Sequence, residues 1–276
     1  MTVQFGIILQ GMPLTPTFEE MKQLTLAAEE SGFHSCWISD HVMHPFPIEG
    51  KPMHYCQEAF TTAAALGALT KNIKIGFSVI TPTLRHPAVI AKACTTLDRI
   101  TDGRLILCLG AGSMEAEHIA NGIPWGDHDD RVQLEKEAAL IIKKFWTEPV
   151  VNFSGKHYTI KDAIMEPKPL QKPCPPIWVG GASPKTKELI SELADGWLMF
   201  GISPGSIKKS INFMNETIGG KNIQYAAALE SLTLDDTDKV IGRIQKFVKT
   251  GVNLLTIPFL DMQSLNHFAK NILPSF

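Results

Sequence analysis

Eight times along its 276 residues, this chain places a short apolar run ahead of a stretch with helical periodicity. The apolar runs are Val3–Leu9, Ser35–Ser39, Ile73–Val79, Leu105–Leu109, Ile177–Gly180, Trp197–Phe200, Ile223–Leu229 and Leu254–Pro258. Helical stretches follow them in turn. The first opens on Thr17-Phe-Glu-Glu20, a capping box, and stops at Ser31-Gly32. Then come Gln57–Leu69, a helix that Pro87 opens and Asp102-Gly103 ends, Asp130–Trp146, Pro184–Ala194, Ser206–Thr217, Asp236–Lys249 and Met262–Asn271. Strands that are apolar throughout are buried on both faces, and a helix between each pair makes them parallel. Eight such units close most naturally into a (β/α)8 TIM barrel; a doubly wound open sheet is the structural alternative. Residues 1–276 read as a single domain, since no linker or low-complexity segment divides them. The longest break in the alternation, Ala111–Pro176, reads as an insertion between strand four and strand five. It holds an expected hairpin at Val150–Ile160 around Ser154-Gly155, then a proline-rich extended segment.

Composition narrows the function classes. Hydrophobic residues make up 44% and charged residues 20%, with a net charge of −2. That is globular composition, and it lacks the cationic excess that phosphate-neutralising nucleic-acid binders need. No apolar run approaches the roughly 20 residues of a membrane span. The N-terminus lacks the basic start and cleavage site of a signal peptide. The five cysteines (Cys36, Cys56, Cys94, Cys108, Cys174) include no C-x-x-C pair, which argues against a zinc ribbon or disulfide framework. The expectation is a cytoplasmic protein with a small-molecule partner, and with neither nucleic acid nor membrane.

In a barrel of this kind, sites form at the C-terminal ends of the strands. That rule selects Asp40 and His41 after strand two, Ser78 and Val79 after strand three, and Gly110-Ala-Gly112 after strand four. It also selects Gly180-Gly-Ala-Ser183 after strand five and Glu230 after strand seven. Imidazole titrates near neutrality and moves protons, and a neighbouring carboxylate such as Asp40 can orient it. The bland alternative is a surface histidine in a loop. Ser183 and Pro184 are a good N-cap and first helical residue, so the fifth helix would present free N–H groups to an anion, with Lys185 nearby. A plain glycine-rich turn is the alternative there. Gly110 and Gly112 are not a dinucleotide fingerprint, because the third glycine position holds Glu115. His41, His44, His54 and Glu58 match no metal-ligand pattern.

Several segments resemble one family, the bacterial luciferase-like monooxygenases: Trp37-Ile-Ser-Asp-His41, Thr81-Pro-Thr-Leu-Arg-His-Pro87, Thr96-Leu-Asp-Arg-Ile-Thr-Asp-Gly-Arg104, Gly110-Ala-Gly112, Pro167-Lys-Pro-Leu-Gln-Lys-Pro173 and Pro176-Ile-Trp-Val-Gly-Gly181. They span most of residues 1–200 in the family's order. The resemblance implies a (β/α)8 barrel, a homodimer, and a flavin-type cofactor, either coenzyme F420 or FMN. The Ser39-Asp40-His41 form is similar to the F420-dependent branch, and Arg85-His-Pro87 and the Leu97-Asp98…Gly103-Arg104 stretch are similar to its methylenetetrahydromethanopterin reductase. That implies Asp40 and His41 beside the deazaflavin ring, with His41 exchanging a proton and Asp40 orienting it. It also implies a non-prolyl cis peptide at Ser78–Val79 behind the ring, glycines 110 and 112 against the cofactor, and its phosphate on Gly180, Gly181, Ala182 and Ser183. The F420-dependent sugar-phosphate dehydrogenases carry a Trp soon after the His and a Glu directly after Gly-x-Gly. Pro45-Phe46 and Ser113 stand in those neighbourhoods here, which argues against a sugar phosphate as substrate. The expected function is F420-dependent hydride transfer to or from a small organic substrate. The rivals are an FMNH2-dependent monooxygenase fed by a separate flavin reductase, a non-catalytic flavin-binding protein, and a cofactor-free lyase using Asp40 and Glu230.

Overall fold

The computed structural model describes residues 3–10, 16–43, 56–218, 222–229 and 236–276. Eight parallel strands close into a barrel: β1 (Gln4–Ile8), β2 (Ser35–Ile38), β3 (Lys74–Phe77), β4 (Leu105–Leu109), β7 (Ile177–Gly180), β8 (Gly196–Phe200), β9 (Gln224–Ala228) and β10 (Leu254–Pro258). The ring closes where β1 pairs with both β10 and β2, with Gly6 opposite Thr256 on one side and Ser35 on the other. This is the TIM barrel, not the open sheet. Helices α1 (Phe18–Glu30), α2 (Ala59–Leu69) and α3 (Pro87–Ile100) follow β1, β2 and β3. Between β4 and β7 come α4 (Glu115–Ala120), α5 (His128–Thr147) and the antiparallel pair β5 (Val151–Ser154) and β6 (Thr159–Ala163). The remaining helices are α6 (Pro184–Leu193), α7 (Pro204–Thr217), α8 (Thr237–Val248) and α9 (Met262–Asn271). Among the described residues, no helix is long and apolar enough to cross a membrane.

Local signals act as expected. Thr17 and Glu20 form both bonds of the capping box, whereas α5 begins at His128, ahead of the expected Asp130, because Asp127 caps it by accepting from the Asp130 N–H. The expected hairpin forms, but its second strand runs on to Ala163. Helix α7 begins a turn earlier than its apolar spacing predicts, because Ser203 caps it and Pro204 takes the first position.

The barrel interior is filled by two indoles, Trp37 and Trp178, tilted 44° to each other with ring centroids 5.4 Å apart. Glycine faces them: a Cβ on Gly76 would come within 2.7 Å of the Trp37 ring. Ile106, Cys108, Leu198, Ala226 and Leu254 complete this plug, and Val79 packs on its upper side. The mouth above it is thereby closed from below.

Two motif segments turn out to be scaffold. The Arg104 guanidinium donates to the carbonyls of Gly67, Thr70 and Ile73, satisfying the C-terminal end of α2. Buried Asp98 accepts from the N–H groups of Leu170 and Gln171 at 2.8 and 3.0 Å, pinning the proline-rich segment to α3. In that segment the Glu166–Pro167 and Lys172–Pro173 peptides are cis.

Candidate active site

The strand exits converge on one cavity of about 360 Å³ at the C-terminal mouth of the barrel. Asp40, His41, Ser78, Val79, Gly110, Gly112, Gly180, Gly181, Ala182 and Ser183 all line it. Glu230, His44, His54, Pro45 and Phe46 lie outside the described residues.

One wall is the Ser78–Val79 step, whose peptide is cis, as the resemblance implied. Backbone bonds hold it on both sides. Ser78 N–H donates to Ile38 O, and Ile80 N–H to Cys108 O. The Ser39 hydroxyl sits 2.8 Å from Gln10 O and 3.2 Å from Ser78 O, tying the ends of β1, β2 and β3 together. The Val79 side chain fills the space that a Cβ on Gly110 or Gly180 would occupy. Glycine at these two strand ends is therefore a packing requirement.

Asp40 is buried, yet its two oxygens differ. Oδ2 accepts from Arg85 Nη1 at 2.6 Å and from the Thr81 N–H at 3.2 Å. Oδ1 is buried and bonds to no described residue. Burial pushes this carboxyl above its ordinary range, and the Arg85 charge and the Thr81 N–H only partly counter it. Arg85 is shared with Glu58, 2.8 Å away, and lies over the Phe60 ring.

The expected pairing of His41 with Asp40 does not form, because Asp40 is turned toward Arg85. The carboxylate at His41 belongs to Glu117, on α4: its Oε2 is 3.1 Å from Nδ1. Its Oε1 accepts from the N–H groups of Val42 and Met43 at 2.6 and 3.2 Å. Burial works to raise the Glu117 carboxyl, but the His41 ring and these two N–H groups outweigh it and hold the acid below its usual range. Cys56 Sγ donates to the His41 carbonyl at 3.3 Å.

At the opposite wall, the Gly180–Ser183 turn leads into α6. Gly181 has φ of +114°, which favours glycine, and its carbonyl accepts from Trp197 Nε1 at 2.6 Å. Ser183 Oγ accepts from the Thr186 N–H, as an N-cap should. Lys185 departs from expectation. Its ammonium is 2.6 Å from Asp129 Oδ2 in a surface groove between α5 and α6, and it does not line the cavity.

Reading the sequence missed Glu117, the Arg85–Asp40 pair, and further lining residues that include His118, His128 and Phe200. The available signal for Glu117 was Glu115-Ala-Glu-His118, a polar helical turn directly after a glycine-rich strand exit.

A closed parallel barrel with a pocket of acid, imidazole and bare glycine backbone at its C-terminal mouth is a (β/α)8 protein with a small-molecule site. The Luciferase-like monooxygenase family model matches residues 3–253, and the chain belongs to that family. It is 36% identical over 180 residues to the F420-dependent glucose-6-phosphate dehydrogenase of Microbacterium testaceum, covering 65% of this chain and 52% of that protein. It is 30% identical over 191 residues to the FMNH(2)-dependent dimethylsulfone monooxygenase of Pseudomonas putida, covering 69% of this chain and 51% of that one. The chain thus spans about half the length of these curated relatives. The coenzyme F420 dependent tetrahydromethanopterin reductase from Methanopyrus kandleri has the same fold, with TM-score 0.85 and 18% identity over 100% of both chains.

Proposed function

We propose that this chain is an F420-dependent oxidoreductase acting on a small organic substrate. The observation that carries the reading is the buried Asp40 carboxyl, whose Oδ1 has no partner among the described residues, beside a cavity that His41, Ser78, Val79 and four glycines also line. Such a wall suits a flat ring with one polar edge, and the residues present fit a deazaflavin. Asp40, Ser78, Val79, Gly110 and Gly112 would hold the ring region. Gly180, Gly181, Ala182 and Ser183, at the start of α6, would meet the phosphate. When bound, F420 supplies a two-electron hydride acceptor or donor. His41 takes the hydroxyl proton of an alcohol as its carbon gives up hydride and a carbonyl forms; in the reverse direction it returns that proton. The cavity walls position the reactants and exclude water. The 36% identity to an F420-dependent dehydrogenase supports the cofactor.

The experiment is equilibrium titration of the purified protein with oxidised F420 and, separately, FMN. Tight F420 binding with weak FMN binding is expected. The second reading, an FMNH2-dependent monooxygenase served by a separate flavin reductase, has the Pseudomonas putida relative in its favour. It predicts the reverse preference and oxygen uptake with reduced FMN. The chain is read as one domain that pairs with a second copy. Helix α2 supports the pairing, since none of its side chains is charged and Ala68 and Leu69 are exposed.

A further inference from the structure

We propose that Glu117 is the positioning residue that sets the tautomer of His41, presenting Nε2 to the cavity as the proton acceptor. A carboxylate only accepts hydrogen bonds. Oε2 lies 3.1 Å from Nδ1, so the proton of a neutral His41 ring sits on Nδ1. Nε2 bonds to no described residue. Oε1 meanwhile holds the N–H groups of Val42 and Met43, so one side chain fixes both the ring and the backbone that carries it. Glu117 is only 2% exposed. Its short helix is braced in turn: the next residue, His118, bonds Thr83 Oγ1 at 2.7 Å and Met114 O at 2.9 Å. Trp125 packs on the His118 ring, and the Arg131 guanidinium covers that indole at 3.6 Å.

The use of this tautomer in proton transfer rests on the oxidoreductase reading; the tautomer itself does not. In Glu117→Gln, the amide oxygen stays with the two backbone donors and its NH2 turns toward Nδ1. That nitrogen must then accept, and the proton moves to Nε2. Glu117→Asp keeps the anion and serves as the conservative rescue. Two-bond 1H–15N spectra of the imidazole, with His41 assigned through His41→Gln, read the tautomer in the full chain without cofactor. The expected result is Nδ1–H in the wild type, Nε2–H in Glu117→Gln, and Nδ1–H again in Glu117→Asp. An Nε2–H wild type, or an unchanged tautomer in Glu117→Gln, overturns the assignment. If Glu117→Gln does not fold, the wild-type spectrum alone still decides it. F420 titration of the wild type, run separately, tests only the cofactor reading.

Discussion

Val79 and Gly110 share a single volume: the Val79 Cγ2 methyl sits where a Cβ on Gly110 would be. The same valine leaves only 2.6 Å to a Cβ on Gly180. Overpacking a tight site typically costs about 1–3 kcal/mol. Gly110→Ala is therefore expected to lower the melting temperature and to weaken F420 binding at least ~10-fold as the wall is pushed into the cavity. Val79→Ala/Gly110→Ala is expected to recover most of the stability. Thermal melts and F420 titration of both variants check this; a Gly110→Ala protein that melts and binds like the wild type would refute the packing argument.

Removing Arg85 leaves Asp40 buried with only the Thr81 N–H. Breaking a buried pair from one side costs roughly 3–5 kcal/mol. Arg85→Met is expected to lose stability on that scale, part of it from the Glu58 and Phe60 contacts. Asp40→Asn/Arg85→Met should regain much of it, because no buried charge is then left without its partner; Glu58 also loses Arg85, but its side chain is 47% exposed. Urea unfolding of the cycle measures the coupling, and strict additivity would count against a direct interaction.

Glu135, on α5, is fully buried with neither carboxylate oxygen bonded to a described residue. Burial pushes its acid up to about 8 from an ordinary value of 4.5. The folded state thus binds the proton more tightly than the unfolded chain. Its contribution to stability is complete below the unfolded value, falls as pH rises through the interval, and is gone above about 8. Glu135→Gln is expected to flatten the loss of stability between about pH 5 and pH 8. Denaturation at both ends of that range, in wild type and variant, tests it.

An uncharged helix with exposed apolar positions asks for a partner surface. Leu69 is 49% exposed and Ala68 is exposed beside it at the end of α2. Ala68→Glu/Leu69→Lys is expected to shift the protein from dimer to monomer in sedimentation velocity while leaving the barrel folded. A wild type that sediments as a monomer would sink the pairing.

Much of the barrel was legible because its signals are local or periodic. Thr17 and Ser183 announce helix starts through bonds to residues three positions on, while Asp127 and Ser203 make the same bonds at starts that apolar spacing placed too late. The resemblance implied the cis step at Ser78–Val79, which propensity alone would reject. What stayed hidden was pairing at a distance. His41 and Glu117 are 76 positions apart, and Asp40 and Arg85 are 45 apart. Adjacency in sequence suggested that Asp40 would serve His41, and Lys185 looked like an anion contact until Asp129 claimed it.

The sequence by itself determined the alternation, the burial of the strands and the set of strand exits, since these follow from hydrophobic period and capping chemistry between near neighbours. Tertiary structure alone decided which carboxylate faces which base. Closure of the barrel brings β2, β3, β4 and β7 to one mouth. There a charged side chain settles on the partner that best repays its desolvation, wherever in the chain that partner lies.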